Sequence, residues 1–339
     1  MSTPPVLQVE NLTVTYSRGI GRAPLKAVSD VSFTVGRAET VSIVGESGSG
    51  KTTIGSAILG RTSVHDGRIL LEGTDIAHLG ARPRRAFRTK LQAVFQDPFS
   101  SLDPSTTIGQ AVAEPLQVAY PRMAAEERHA RVVETLARVG LDESVMQRFP
   151  AEFSGGQRQR IAIARALVLR PSIVVCDEAV SALDVSVQAQ VLNLLEELQR
   201  VEGVSYVFIS HNMAAVRHIS DRIVVLYRGR IMEEGTAEEV CDRPLHPYTR
   251  SLLASVPVPD VQAQRERRRV RREAAATPMP SAPVTGCPFA PRCPFAAAKC
   301  LDAPPPLVET ADGRRAACVR LDEIPGPDAR AALGIAESA

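Results

Sequence analysis

Eight residues, Gly45-Glu46-Ser47-Gly48-Ser49-Gly50-Lys51-Thr52, restrict what this chain can fold into more than any other stretch. They match G-x-x-x-x-G-K-(S/T), follow the apolar run Val41–Val44, and open helical spacing over Thr52–Leu59. A strand, a glycine loop and a helix in that order make a phosphate cradle. The glycines let backbone N–H groups turn toward phosphate oxygens, and the helix N-terminus adds a partial positive charge. Lys51 can reach the β- and γ-phosphates, and the Thr52 hydroxyl can ligate Mg²⁺. The expected phosphate-binding set is Gly45, Glu46, Ser47, Gly48, Ser49, Gly50, Lys51 and Thr52, with Thr53 beside it.

Such a loop needs a second acidic element if it is to hydrolyse a nucleotide. Ile173-Val174-Val175-Cys176-Asp177-Glu178 supplies one, a short apolar strand ending in two acids. Asp177 is expected to hold the Mg²⁺ shell with Thr52, and Glu178 to orient and polarise the attacking water.

The rest of the first 240 residues alternates strands and helices. Val6–Tyr16, Val204–Ser210 and Arg222–Tyr227 read as strands, and Arg228–Gly229–Arg230 as a hairpin turn. Val191, Leu194, Leu195 and Leu198 share one helical face. This alternation implies an α/β fold with a sheet mainly parallel at its centre. With 339 residues, about two domains are expected. Lys+Arg 40 against Asp+Glu 38 leaves +2, which argues against a surface devoted to nucleic acid. No apolar run approaches the roughly 20 residues of a membrane span, and Met1–Gln8 does not read as a secretory signal. The chain is therefore expected in the cytosol, free to dock on a membrane protein.

Phe153-Ser154-Gly155-Gly156-Gln157, just upstream of the acidic strand, resembles the signature of ATP-binding cassette (ABC) ATPases. The family's other elements follow in order. Tyr16 sits where an aromatic ring stacks on adenine, Gln96 in Val94–Pro98 resembles the Q-loop, and Ser181-Ala182-Leu183-Asp184 the D-loop. His211, after Val207–Ser210, resembles the switch histidine. The resemblance covers about residues 6–240. It implies a P-loop cassette in which a mainly parallel core sheet carries an antiparallel β subdomain and a helical signature subdomain. It also implies that Ser154, Gly155, Gly156, Gln157 and Asp184 meet ATP held by a second cassette, and that Glu178, His211 and Gln96 are the catalytic set, Gln96 also reaching Mg²⁺.

A narrower likeness rests on Phe95–Pro104, Ser181–Gln190 and His246-Pro247-Tyr248-Thr249 with Leu252-Leu253. These resemble the oligopeptide/dipeptide/nickel importer ATPases, in the wording of the F-type subunit. The resemblance implies two transmembrane permease subunits, a related second ATPase in a heterodimer, an extracytoplasmic substrate-binding protein, and a peripheral place on the cytoplasmic face of the membrane. Pro98–Pro104 would border the groove for a permease helix. Ala38, Ala179 and Phe153 depart from the family's usual glycine, proline and leucine without removing a catalytic group. The alternative is a soluble ABC ATPase of DNA repair or translation. It is disfavoured by a single cassette, by only about 100 residues between phosphate loop and signature, and by the absence of sustained heptads.

Composition changes after about Asp260. Residues 265–272 hold six arginines and 278–306 nine prolines. The expected organisation is a nucleotide-binding domain over 1–260, an Arg/Pro-rich linker over 261–285, a small irregular Cys-rich module over 286–322 and a tail over 323–339. Arg265–Ala276 reads as a solvated helix or linker. Cys287, Cys293, Cys300 and Cys318 are spaced C-x5-C-x6-C-x17-C, and four thiolates can hold zinc or an iron–sulfur cluster. Zinc, a 4Fe–4S cluster and four reduced thiols all stay open on spacing. The importer resemblance implies a 4Fe–4S cluster of structural role. The module's distance along the chain from the phosphate loop leads to the expectation of no electron transfer in ATP hydrolysis.

Overall fold

The computed structural model describes residues 4–19, 21, 23–96, 102–255 and 285–324. Residues 97–101, the expected linker over 261–285 except Thr285, with Arg265–Ala276, and the expected tail over 323–339 except its first two residues lie outside the described residues. The chain divides into two compact units, Met1–Ser42 with Thr52–Ser210, and Ile43–Lys51 with His211–Ala339.

In the first unit β1 (Leu7–Tyr16) and β2 (Leu25–Val35) open the chain, and β3 (Thr40–Val44) begins there and ends in the second unit. β4 (Asp66–Leu71) and β5 (Thr74–Asp75) complete an antiparallel sheet of order β2-β1-β4-β5. Leu7 pairs with Val35 on one side and Leu71 on the other, so all three apolar side chains share the buried face. This sheet answers the expected antiparallel subdomain.

The parallel part is β6 (Leu91–Phe95), β7 (Ile173–Asp177) and β8 (Ser205–Ser210). Phe95 pairs with Asp177, and Asp177 with Ile209, so the three strands end level with one another. Ile173 through Cys176 are all buried, as expected of a strand covered on both faces. The Cys176 thiol, pushed up to about 12 by burial, is a small apolar filler there.

The helices of this unit are α1 (Lys51–Ile58), α2 (Ala81–Arg84), α3 (Ile108–Ala119), α4 (Ala125–Arg138), α5 (Gly155–Leu167) and α6 (Val185–Glu202). α3, α4 and α5 pack on one another through Ile108, Val112, Leu116, Val132, Leu136 and Ile161. They form the expected helical subdomain. α6 buries Val191, Leu194, Leu195 and Leu198, the face read from the sequence, and ends at Gly203 in the left-handed region.

The second unit carries α7 (Met213–Ile219), β9 (Arg222–Tyr227), β10 (Arg230–Thr236), α8 (Ala237–Asp242) and α9 (Pro247–Ala254). Arg228 and Gly229, both at positive φ, turn β9 into β10 as the expected hairpin, with Tyr227 paired to Arg230. β11 (Val308–Glu309) and β12 (Arg315–Ala316) add to its far edge: Glu233 pairs with Ala316 and Glu234 with Arg315. Sequence reading missed these two-residue strands, which are too short to show a period. Tyr227, Tyr248 and Phe289 meet with ring centroids 4.5, 5.5 and 5.4 Å apart, at tilted or edge-on angles. Phe289, between the first two cysteines of the late cluster, is thereby buried against β9 and α9.

Candidate active site

The phosphate loop belongs to the second unit. Gly45 and Gly50 have φ of +156° and +107°, and a Cβ on Gly45 would stand 2.1 Å from the Leu226 carbonyl oxygen. Only glycine lets β9 back the loop so closely. The Gly229 N–H, at the tip of the β9–β10 turn, donates to the Ser49 carbonyl at 2.7 Å. The Lys51 ammonium is nearly buried and donates to the carbonyls of Gly45 at 2.8 Å and Glu46 at 3.0 Å. Ser49 Oγ is buried without a hydrogen-bond partner among the described residues, an uncommon condition for a hydroxyl that no ligand meets. An open glycine cradle, a folded-back lysine and an orphaned hydroxyl fit a phosphate chain.

Glu46 is held from two directions. Its N–H donates to the Tyr248 hydroxyl at 2.9 Å, and its carboxylate accepts both prongs of the Arg292 guanidinium at 2.7 and 2.8 Å. Sequence reading assigned no role to Tyr248 or Arg292. The only signal was that both stand in stretches singled out for other reasons, the His246–Thr249 run and the cysteine cluster.

Within the first unit, the Thr52 hydroxyl donates to Asp177 Oδ1 at 3.4 Å. Asp177 ends β7, and its register partner Phe95 is followed by the exposed Gln96, so Thr52, Asp177 and Gln96 come to one end of the parallel strands. Glu178 has φ of +53°, and its N–H donates to the Ile209 carbonyl at 2.9 Å. Ser181 donates twice to the Glu178 carbonyl, and Ala179 and Val180 are buried, so the turn is closed with alanine where the family usually has proline. The Tyr16 hydroxyl lies 3.4 Å from Thr53 Oγ1, and its ring is 40% exposed, available for stacking.

Ser154 caps α5, accepting from the Gln157 N–H, while the Gln157 side chain accepts from the Ser154 N–H at 3.0 Å. A Cβ on Gly156 would lie 2.3 Å from Val187 Cγ1, so α5 begins hard against the start of α6. Asp184 caps α6 and accepts from Val187 N–H at 2.9 Å and Ser186 Oγ at 2.7 Å. Those bonds, the backbone one foremost, hold its carboxyl below the usual range. His211 follows β8 directly, exposed, in the second unit.

Cys287, Cys293, Cys300 and Cys318 are free thiols that line one small cavity with Phe289 and Phe295. Burial pushes the Cys293 thiol up to about 12 and raises Cys287 and Cys318, and the other cysteines of the cluster add to each. Among the described residues, however, no group of three or more His, Cys, Asp or Glu could hold a metal ion. Sequence reading expects these four thiols to hold a metal, and the structure brings them around one cavity without showing a metal site among the described residues.

A family profile described as "ABC transporter" matches residues 28–181, and one described as "Oligopeptide/dipeptide transporter, C-terminal region" matches residues 232–300. The chain is 46% identical over 318 residues to the "probable peptide ABC transporter ATP-binding protein y4tS" of Sinorhizobium fredii, covering 92% of this chain and 89% of that one. It is 44% identical over 300 residues to the oligopeptide transport ATP-binding protein OppF of Salmonella typhimurium, covering 88% and 89%. Among solved structures it resembles cbiO1 from Clostridium perfringens, part of the ABC transporter complex cbiONQ, with a TM-score of 0.64, 28% identity, and 70% and 91% covered. It also resembles the ATP-binding cassette MJ0796, dimeric and bound to ADP and Pi, with a TM-score of 0.61, 30% identity, and 68% and 98% covered.

Proposed function

The chain belongs to the ABC transporter ATP-binding proteins, and on that premise we propose that it binds and hydrolyses ATP to drive peptide import through separate membrane subunits. The observation that carries this reading is the Thr52–Asp177 contact at 3.4 Å, a hydroxyl and a carboxylate spaced to share Mg²⁺. Lys51 leaves the Gly45 and Glu46 carbonyls to meet the β- and γ-phosphates. Glu178 orients the attacking water, with Gln96 and His211 sensing the γ-phosphate and metal. Tyr16 stacks on the adenine. The dimeric structure of MJ0796 with ADP and Pi supports pairing of two cassettes, in which Ser154–Gln157 and Asp184 act on the partner's nucleotide. The partner cassette is a related second ATPase, two permease subunits form the path, and an extracytoplasmic binding protein delivers the peptide.

Among the described residues no helix is long and apolar enough to cross a membrane. The proposed place is the cytoplasmic face, held there by the permeases, as the importer family implies. An open groove of about 590 Å³ in the first unit, lined by Arg82, Arg85, Arg88, Arg165, Pro115 and Val118, supports docking of a permease segment with acidic and apolar side chains. Reconstitution with the permeases and binding protein tests the whole reading. ATP hydrolysis should rise with peptide, and a rate indifferent to permease and peptide would sink the importer assignment.

For the cysteine module, 286–322, the convergence of all four thiols on one cavity supports a 4Fe–4S cluster, or zinc in its place. Bound metal would supply cross-links among Pro-rich loops with little core of their own. Anaerobic protein should carry about four irons per chain with broad absorbance near 400 nm, as cluster ligation requires. One zinc and no iron would replace the cluster, and neither metal would leave four structural thiols.

A further inference from the structure

The Arg292–Glu46 pair joins two stretches that are 246 residues apart, the cysteine segment and the phosphate loop. Glu46 puts a carboxylate on the very loop that must receive a chain of phosphates. Left alone, that charge repels the nucleotide. Arg292 answers it with two parallel hydrogen bonds, the geometry in which guanidinium and carboxylate bind most strongly. The guanidinium is itself located by rings, at 5.9 Å from the Tyr227 centroid and 5.7 Å from that of Phe289. The backbone of the same residue is fixed by Tyr248, and its carbonyl is where Lys51 waits. Arg292 ends a short 3-10 turn, Ala290–Arg292, and immediately precedes Cys293 on the cavity of thiols.

We propose that Arg292 is a positioning residue for the nucleotide site: it neutralises Glu46 and holds its carboxylate aside, so that the C-terminal cysteine segment sets the affinity of the phosphate loop. The inference rests on the nucleotide-binding reading of that loop. It gives the module a structural link to the phosphate loop that its distance along the chain does not announce. The fold makes that link by packing Phe289 onto Tyr227 and Tyr248.

The test is a set of full-length variants titrated with Mg–ADP, which fills the phosphate loop without being hydrolysed. Arg292→Ala should weaken Mg–ADP binding roughly 3- to 10-fold, the effect of one uncompensated charge at partly solvated distance. The loss should shrink in molar salt. Glu46→Gln combined with Arg292→Ala should bind more tightly than Arg292→Ala alone and recover most of the loss, because no carboxylate remains to be neutralised. Arg292→Lys, which keeps the charge but not the two-pronged fit, should lie between. A purely structural arginine predicts no recovery by Glu46→Gln, and that result overturns the proposal. So does Arg292→Ala binding like a wild type that itself binds well. Wild-type protein that binds no Mg–ADP would instead sink the nucleotide reading, and the inference with it.

Discussion

Glu178 sits one residue past Asp177, the carboxylate proposed to face Mg²⁺, in a left-handed backbone conformation that an acidic residue with a Cβ seldom adopts. The strain persists because the Ile209 carbonyl takes its N–H and two bonds from Ser181 close the turn behind it. A side chain fixed this way suits a group that must point at a water. Glu178→Gln is expected to keep ATP affinity while turnover in the assembled complex falls roughly a thousandfold or more. Steady-state hydrolysis within a few-fold of wild type would refute the role. Lys51→Ala should do the opposite kind of damage. Removing a charge-assisted donor to phosphate should weaken ATP binding roughly 10- to 100-fold, and an unchanged affinity by calorimetry would count against it.

At the scale of elements, the phosphate loop is shaped less by its own glycines than by what stands behind them. A Cβ on Gly45 collides with a backbone carbonyl of β9, whereas one on Gly48 meets nothing within 4 Å, although both have positive φ. Gly45→Ala should therefore cost about 3 kcal/mol or more, since backbone cannot step aside as a side chain can. Gly48→Ala should cost only the left-handed penalty of about 1–2 kcal/mol. Chemical denaturation of the two variants checks the order, and equal stabilities would contradict it. α5 makes the complementary point. Its Ser154–Gln157 capping box was legible as Ser-Gly-Gly-Gln, because a cap is a local affair of residues three apart. Its abutment on Val187 was not, since contact between helix starts depends on packing.

For the whole molecule, one chain supplies one phosphate loop and one signature helix, and the pairing proposed above gives them to different nucleotides. The isolated chain is accordingly expected to be a poor ATPase, gaining activity steeply with concentration or with its partner cassette. Fast, concentration-independent hydrolysis from a demonstrated monomer would exclude shared sites. The division of the chain is also informative at this scale: Ile43–Lys51 groups with the last third of the chain, not with the residues that flank it in sequence.

The amino-acid sequence by itself determined the parts whose physics is local. The glycine loop, the apolar strand ending in Asp177 and Glu178, the capped signature helix, the α6 face of Val191, Leu194, Leu195 and Leu198, and the Arg228–Gly229 turn all follow from spacing within a few residues. Tertiary structure alone decided which distant stretches meet. The register of β6 on β7 brings Gln96 to Asp177, and β12 extends β10 through a pairing only two residues long. The tilted stack of Tyr227, Tyr248 and Phe289 carries the cysteine segment onto the phosphate loop, where Arg292 finds Glu46. No spacing rule encodes these contacts, because each depends on burying apolar surface from segments that the chain itself keeps far apart.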